Sequence, residues 1–150
     1  MDACPFCDYY ATAGPPNGWL YVDDLWGAWG GDVPGQLIVS TRRHVSDGPM
    51  GLSDEEARSL GPLLVRIARA MEVATGAERV YVLSLVDRLR HWHYSLTTRT
   101  AAVPTEERGL AYLGPTQVAA RTDPTEAKAL LERVRAALAG VPTPDSRTPG

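Results

Sequence analysis

A single long helix, set between two groups of strand-forming segments, constrains the fold of this chain more than any other feature. Ser53 is a good N-cap, and Glu56 stands three residues later to complete a capping box. Gly76 is a suitable C-cap. Pro62 falls within the helix and predicts a kink or a late start. Apolar residues recur between the caps at helical spacing and predict one buried stripe: Leu60, Leu63, Leu64, Ile67 and Met71.

Five segments rich in β-branched and aromatic residues flank this helix. Turn residues separate them, and they span residues 19–22, 25–29, 36–41, 79–86 and 91–97. The order of three strands, a helix and two strands predicts an α+β fold, a five-stranded antiparallel sheet with the long helix on one face. Asp123 caps a C-terminal helix that Gly140 ends.

The remaining segments carry no regular pattern. Residues 1–18 are predicted to be irregular, and the Pro-, Ser- and Thr-rich residues 141–150 are predicted to be a disordered tail. The chain has 150 residues, which suits one domain over residues 1–140.

The charge balance and apolar segments bear on partners and compartment. A net charge of −3 argues against a nucleic-acid or membrane-surface binder, which would carry a basic excess. The N-terminus shows no signal-peptide pattern, and no segment approaches the roughly 18 apolar residues that span a bilayer. These features predict a cytoplasmic protein, in which a cysteine pair is expected to bind metal or work in redox chemistry.

Three polar side chains share one face of the last predicted strand. Alternate residues of a strand point the same way, so His91, His93 and Ser95 lie on one face, with Trp92 and Tyr94 on the other. The chain has only three histidines, and two of them stand here. Burying such groups costs free energy unless they have partners, which favours a functional site on this face.

The N-terminal pair Cys4 and Cys7 forms a CxxC motif with two interpretations. A zinc site needs two further ligands, and His44 with either His91 or His93 would complete a tetrahedral set. A redox dithiol would follow a strand and open a helix, and the sequence predicts no helix after Cys7. Metal analysis would separate these interpretations.

The chain resembles the histidine triad superfamily in three stretches. Residues 4–7 resemble the CxFC opening of many bacterial members. Residues 33–45 (VPGQLIVSTRRHV) resemble the family's PGH strand and the basic turn that follows it. Residues 91–99 (HWHYSLTTR) resemble the HxHxHxxxR strand, with Arg99 in the place of the trailing arginine. The resemblance covers roughly residues 4–100, with the capped helix where the family has its long helix.

This resemblance assigns roles to the histidines. In zinc-bearing members the first histidine of the strand binds zinc and the middle one attacks the α-phosphorus of a nucleotide. It therefore implies His93 as the nucleophile, a nucleotidyl-histidine intermediate, and a closed structural zinc held by Cys4, Cys7, His44 and His91. It also implies a nucleotide or nucleotide-like phosphate ester as substrate and a homodimer.

The chain departs from the family pattern at three places. Gln36 replaces the histidine of the PGH stretch, and Ser95 replaces the third histidine. The Gly-rich stretch before the histidines is absent, and Arg88 is a candidate replacement as a phosphate contact. The leading interpretation is a nucleotide hydrolase or nucleotidyltransferase with Gln36, Arg88 and Arg99 as substrate contacts and Ser95 assisting His93. The alternative is a zinc-stabilised nucleotide-binding module with reduced catalysis.

Overall fold

The computed structural model describes residues 3–142 and residue 144. Its five-stranded antiparallel sheet has the order β1-β2-β3-β5-β4. The strands are β1 (Trp19–Val22), β2 (Trp26–Gly30), β3 (Gln36–Thr41), β4 (Arg79–Leu83) and β5 (His93–Arg99). This arrangement confirms the predicted α+β fold. Most of the predicted tail lies outside the described residues.

The long helix α2 (Asp54–Thr75) forms as the sequence predicts. The Ser53 hydroxyl accepts from Glu56 N, the Glu56 carboxylate accepts from Ser53 N, and Gly76 ends the helix in the left-handed region with φ 66°. Pro62 lies inside the helix, which runs unbroken from Asp54 to Thr75. The helix α5 (Pro124–Gly140) is capped by Asp123, as expected.

The core lies between one face of the sheet and these two helices. Trp26, Val39, Trp92 and Leu96 point to this face and are fully buried. Ile67 and Met71 meet them from α2, whereas Leu131 and Val134 meet them from α5. Since strand side chains alternate, the opposite face carries His93, Ser95 and Trp29.

The prediction that residues 1–18 are irregular is wrong for residues 5–11, which form the helix α1 (Pro5–Ala11). Pro5 occupies the first turn, where its missing N–H costs nothing. Seven residues are too few to form a stable helix alone, so tertiary contacts must hold α1. Its aromatic side chains supply them, because Phe6 packs edge-on against Trp29 and Tyr10 stacks on Trp19.

Smaller differences concern strand ends and the segment before α5. The second strand begins and ends one residue later than predicted, β4 ends at Leu83 rather than Val86, and β5 spans 93–99 rather than 91–97. Two short helices were not predicted, α3 (Leu110–Leu113) and α4 (Pro115–Arg121). No helix among the described residues is long and apolar enough to cross a membrane.

Candidate functional site

Four potential metal ligands from three separate segments meet at one point. The ligand atoms of Cys4, Cys7, His44 and His91 all lie within 4.8 Å of one another, and we call this set the metal-ligand cluster. The start of α1 brings the cysteines, the turn after β3 brings His44, and the residues before β5 bring His91. Two thiols and two imidazoles are the donor types that tetrahedral zinc prefers.

Distances within the metal-ligand cluster fit a shared ion. Cys4 Sγ lies 3.3 Å from His91 Nδ1, and Cys7 Sγ lies 3.3 Å from His44 Nδ1 and 3.5 Å from His91 Nδ1. Tetrahedral zinc with ordinary Zn–S and Zn–N bonds separates sulfur from nitrogen by about 3.5 Å. The four residues therefore fit zinc in both chemistry and spacing.

The buried ring of His91 is held in the tautomer that a metal ligand requires. Its Nε2 donates to the carbonyl oxygen of Thr41 at 2.7 Å, which leaves Nδ1 unprotonated and facing the sulfur atoms. Burial lowers the pKa of His91 more than the hydrogen bond to Thr41 raises it, and nearby His44 and His93 add to the lowering. The imidazole is therefore neutral at pH 7, as coordination needs.

The sequence predicts no helix after Cys7, which would oppose a redox dithiol, but the structure shows that α1 begins directly after Cys4. The thiol chemistry opposes a redox role. Burial raises the pKa of the Cys7 thiol to about 11, with Cys4 adding to the rise, whereas reactive dithiols have a lowered pKa.

His93 stands beside the metal-ligand cluster but outside it. Its Nδ1 donates to the backbone carbonyl of His91 at 2.7 Å, and this leaves Nε2 with a free lone pair. The ring packs edge-on against Phe6, with 5.3 Å between ring centroids. The Ser84 hydroxyl donates to the carbonyl of His93 at 2.7 Å and fixes the strand at this residue. Neither Ser84 nor Phe6 was predicted in these positions, because no pattern in the sequence marks them.

Ser95 and Gln36 contact one another on the face that carries His93. Gln36 Nε2 donates to Ser95 Oγ at 3.1 Å across the β3–β5 pairing. Because the Ser95 oxygen accepts this bond, its own proton stays free to be donated elsewhere. The two residues at which the chain departs from the histidine triad pattern thus form a pair.

The two predicted arginine contacts lie in different places. Arg88 is exposed and lines a cavity of about 430 Å³ together with Cys4 and His44. Arg99 is not brought to His93, because six residues of extended strand put it about 20 Å away. There its guanidinium group pairs with Glu78 at 2.7 Å and donates to the Tyr81 hydroxyl at 3.2 Å.

Comparison with known proteins identifies the fold. No protein-family model and no curated protein matches the amino-acid sequence. Among solved structures, the chain is similar to a hypothetical histidine triad nucleotide-binding protein from Sulfolobus tokodaii, with a TM-score of 0.70, 15% identity and coverage of 91% of this chain and 93% of that one.

Two further solved structures share the fold. A zinc-bound histidine triad family protein from Mycobacterium smegmatis has a TM-score of 0.70, 20% identity and coverage of 92% of this chain and 94% of that one. A uridylyltransferase has a TM-score of 0.65 and 19% identity, and the chain covers only 46% of its length. The fold that the sequence resemblance implied is confirmed.

Proposed function

Given the histidine triad fold, we propose that this chain is an enzyme that hydrolyses or transfers a nucleotidyl group at the α-phosphorus through His93. The observation that carries the proposal is the hydrogen bond from His93 Nδ1 to the carbonyl of His91, which leaves Nε2 free as a nucleophile. The likeness to a nucleotide-binding protein and to a uridylyltransferase supports the same class of substrate.

The reaction proceeds in two displacements at phosphorus. The lone pair of His93 Nε2 forms a bond to the phosphorus, and the leaving group departs with the electrons of its own bond. The oxygen of water or of an acceptor hydroxyl then forms a bond to the phosphorus as the bond from phosphorus to Nε2 breaks. The electron pair of that bond returns to Nε2, and the attacking oxygen releases its proton to solvent. Ser95 donates its free proton toward a phosphoryl oxygen, and Gln36 supports Ser95. Arg88, which lines the cavity beside Cys4 and His44, is the proposed source of positive charge for the rest of the phosphate ester.

A zinc ion held by Cys4, Cys7, His44 and His91 is part of this proposal. Four protein ligands leave no position for water, so the ion's role is structural. His91 binds the ion through its ring and holds His93 through its carbonyl oxygen. The zinc-bound relative from Mycobacterium smegmatis supports this metal.

A nucleotide-binding module with reduced catalysis is the second candidate. Ser95 and Gln36 stand where the family has histidines, and both favour this reading. The pairing of Arg99 with Glu78 and Tyr81 also favours a binding module. For Arg99 to contact a substrate, its guanidinium group would first have to break its contacts with both of these residues. Substrate contact by Arg99 stays a prediction.

The predicted homodimer is proposed to form through β4. At the other edge of the sheet, Arg135 donates to the carbonyl oxygen of Trp19 and so occupies one backbone acceptor of β1. The edge of β4 carries the exposed Val82, and Leu85 follows it. An open apolar edge strand favours pairing with another strand, here β4 of a second copy. Trp26 and Trp29 are buried in this chain and offer no such surface.

The test is detection of the covalent intermediate. The zinc-loaded chain is mixed with nucleoside phosphoramidates, dinucleoside polyphosphates and sugar nucleotides, and its intact mass is measured. We expect a nucleotidyl mass on the wild type that is absent from His93→Ala and present on the remote surface variant Arg133→Gln. Ligand-dependent stabilisation with neither adduct nor turnover would reject the enzyme and favour the binding module.

A further inference from the structure

Glu56 is the one acidic residue that is buried in the described part of the chain, at 2% exposure. Its carboxylate accepts from Ser53 N at 2.7 Å as half of the α2 capping box. A capping box works with glutamine as well as glutamate, so the cap does not account for a buried charge. Another partner must therefore account for the buried charge of Glu56.

That partner is Arg43, in the turn after β3. Arg43 Nε lies 3.2 Å from Glu56 Oε1 and Nη2 lies 2.8 Å from Oε2, a two-point contact between planar groups. Nη2 also donates to the carbonyl oxygen of Gly51 at 2.8 Å. Burial raises the pKa of Glu56, but the hydrogen bonds from Arg43 and Ser53 outweigh it, and the carboxyl stays ionised at neutral pH.

The residue after Arg43 is His44, the exposed member of the metal-ligand cluster. The turn is tied by its backbone on either side, where Arg42 N donates to Leu25 O and Val45 O accepts from Trp92 N, both at 2.7 Å. Between these ties the contact of Arg43 with Glu56 is the side-chain anchor. His91 has a backbone carbonyl to orient its ring, whereas in the described residues His44 has none.

We propose that Glu56 is a positioning residue for the metal ligand His44 and acts through Arg43. The first turn of α2 thereby becomes part of the support of the metal-ligand cluster. The inference rests on the zinc site of the proposed function. Zinc affinity then depends on the carboxylate of Glu56, which does not touch the ion.

The experiment measures Zn²⁺ affinity of the full chain by competition with a chromogenic chelator. Glu56→Gln keeps an acceptor for Ser53 N but loses the charged contact with Arg43, and Arg43→Gln breaks the contact from its half-exposed side. We expect each variant to bind Zn²⁺ about tenfold or more weakly, the usual effect of removing a residue that orients a ligand. The double variant should lose no more than the weaker-binding single variant, because both changes break one contact.

Two controls separate positioning from general stability. Arg58→Gln breaks the exposed pair with Asp54 in the same stretch of α2, away from the His44 turn. Ser53→Ala removes the side-chain cap and leaves the Arg43–Glu56 contact in place. Both should bind Zn²⁺ as the wild type does, although Ser53→Ala should melt at a lower temperature.

Zinc binding by Glu56→Gln and Arg43→Gln at wild-type affinity would overturn the inference and leave the zinc site standing. Equal weakening by Ser53→Ala would also overturn it, because helix stability alone would then explain the effect. A wild-type chain that binds no zinc would reject the proposed metal site, and this inference with it.

Discussion

The two ring nitrogens of His93 have different partners, and this difference decides what the residue can do. One nitrogen donates to the carbonyl of His91, while the other remains free. His91 uses its nitrogens in the opposite sense, donating from Nε2 to Thr41 and turning Nδ1 toward the cysteines. Two histidines with the same side-chain chemistry are thus separated by the backbone carbonyls they meet.

The side chain of Gln36 is expected to act only through its contact with Ser95. Gln36→Ala removes the donor that holds the Ser95 oxygen, so we expect formation of the His93 adduct to slow about tenfold, the effect of about 1.4 kcal/mol. In a Ser95→Ala background the same change should have little further effect. Adduct formation timed by mass spectrometry checks this, and fully additive losses would show that Gln36 acts independently.

Among the elements, α1 depends most on its surroundings. Its seven residues lie over the sheet face that carries His93, and the Tyr10 hydroxyl donates to Ser40 O at 3.1 Å. Gly27 in β2 makes room for it, because a Cβ there would meet the Tyr10 oxygen at 2.4 Å and a Trp19 ring carbon at 2.6 Å. The close packing of α1 thus places the two cysteines.

Gly27→Ala should therefore disturb the metal-ligand cluster without touching it. Overpacking of this kind costs about 1–3 kcal/mol, and we expect lower stability together with weaker zinc binding. Gly31→Ala is the matched control, because a Cβ there meets nothing within 4 Å. Denaturant unfolding and chelator competition measure both effects. Unchanged zinc binding in Gly27→Ala would show that α1 does not place the cysteines.

Elements with local signals were predictable, and elements held by distant contacts were not. Caps at Ser53, Gly76 and Asp123 mark α2 and α5, and a run of β-branched and other apolar residues marks β3. The helix α1 has no repeating apolar stripe. It is stabilised instead by packing against Trp19 and Trp29, which lie outside the helix. No local pattern could reveal that dependence.

For the whole molecule, residue types and the family resemblance predicted the metal-ligand cluster, and the fold brings its members together. Only the fold could show that Arg99 pairs with Glu78, that Glu56 meets Arg43 beside His44, or that Ser84 bonds to the carbonyl of His93. Those positions depend on strand register and side-chain reach, which spacing along the chain does not determine. The one-domain organisation and the cytoplasmic compartment remain predictions.

The two edges of the sheet differ in a way that predicts which one would form the proposed homodimer. Val82 on β4 is 48% exposed and Val22 on β1 is 44% exposed, so they make a matched pair. Val82→Lys should yield monomers in sedimentation at concentrations where Val22→Lys and the wild type are dimers, because a charged edge strand resists pairing. Dissociation by Val22→Lys instead, or a monomeric wild type, would contradict this.

In the proposed site, His44 and His91 hold the metal and His93 is left as the nucleophile. With three histidines in the chain, long-range ¹H–¹⁵N correlation spectra of the zinc-loaded protein test it directly. We expect two rings bound to metal through Nδ1, with His91 protonated at Nε2, and a third, His93, protonated at Nδ1 with a free Nε2. A metal-bound His93, or a His93 protonated at Nε2 in place of Nδ1, would contradict it.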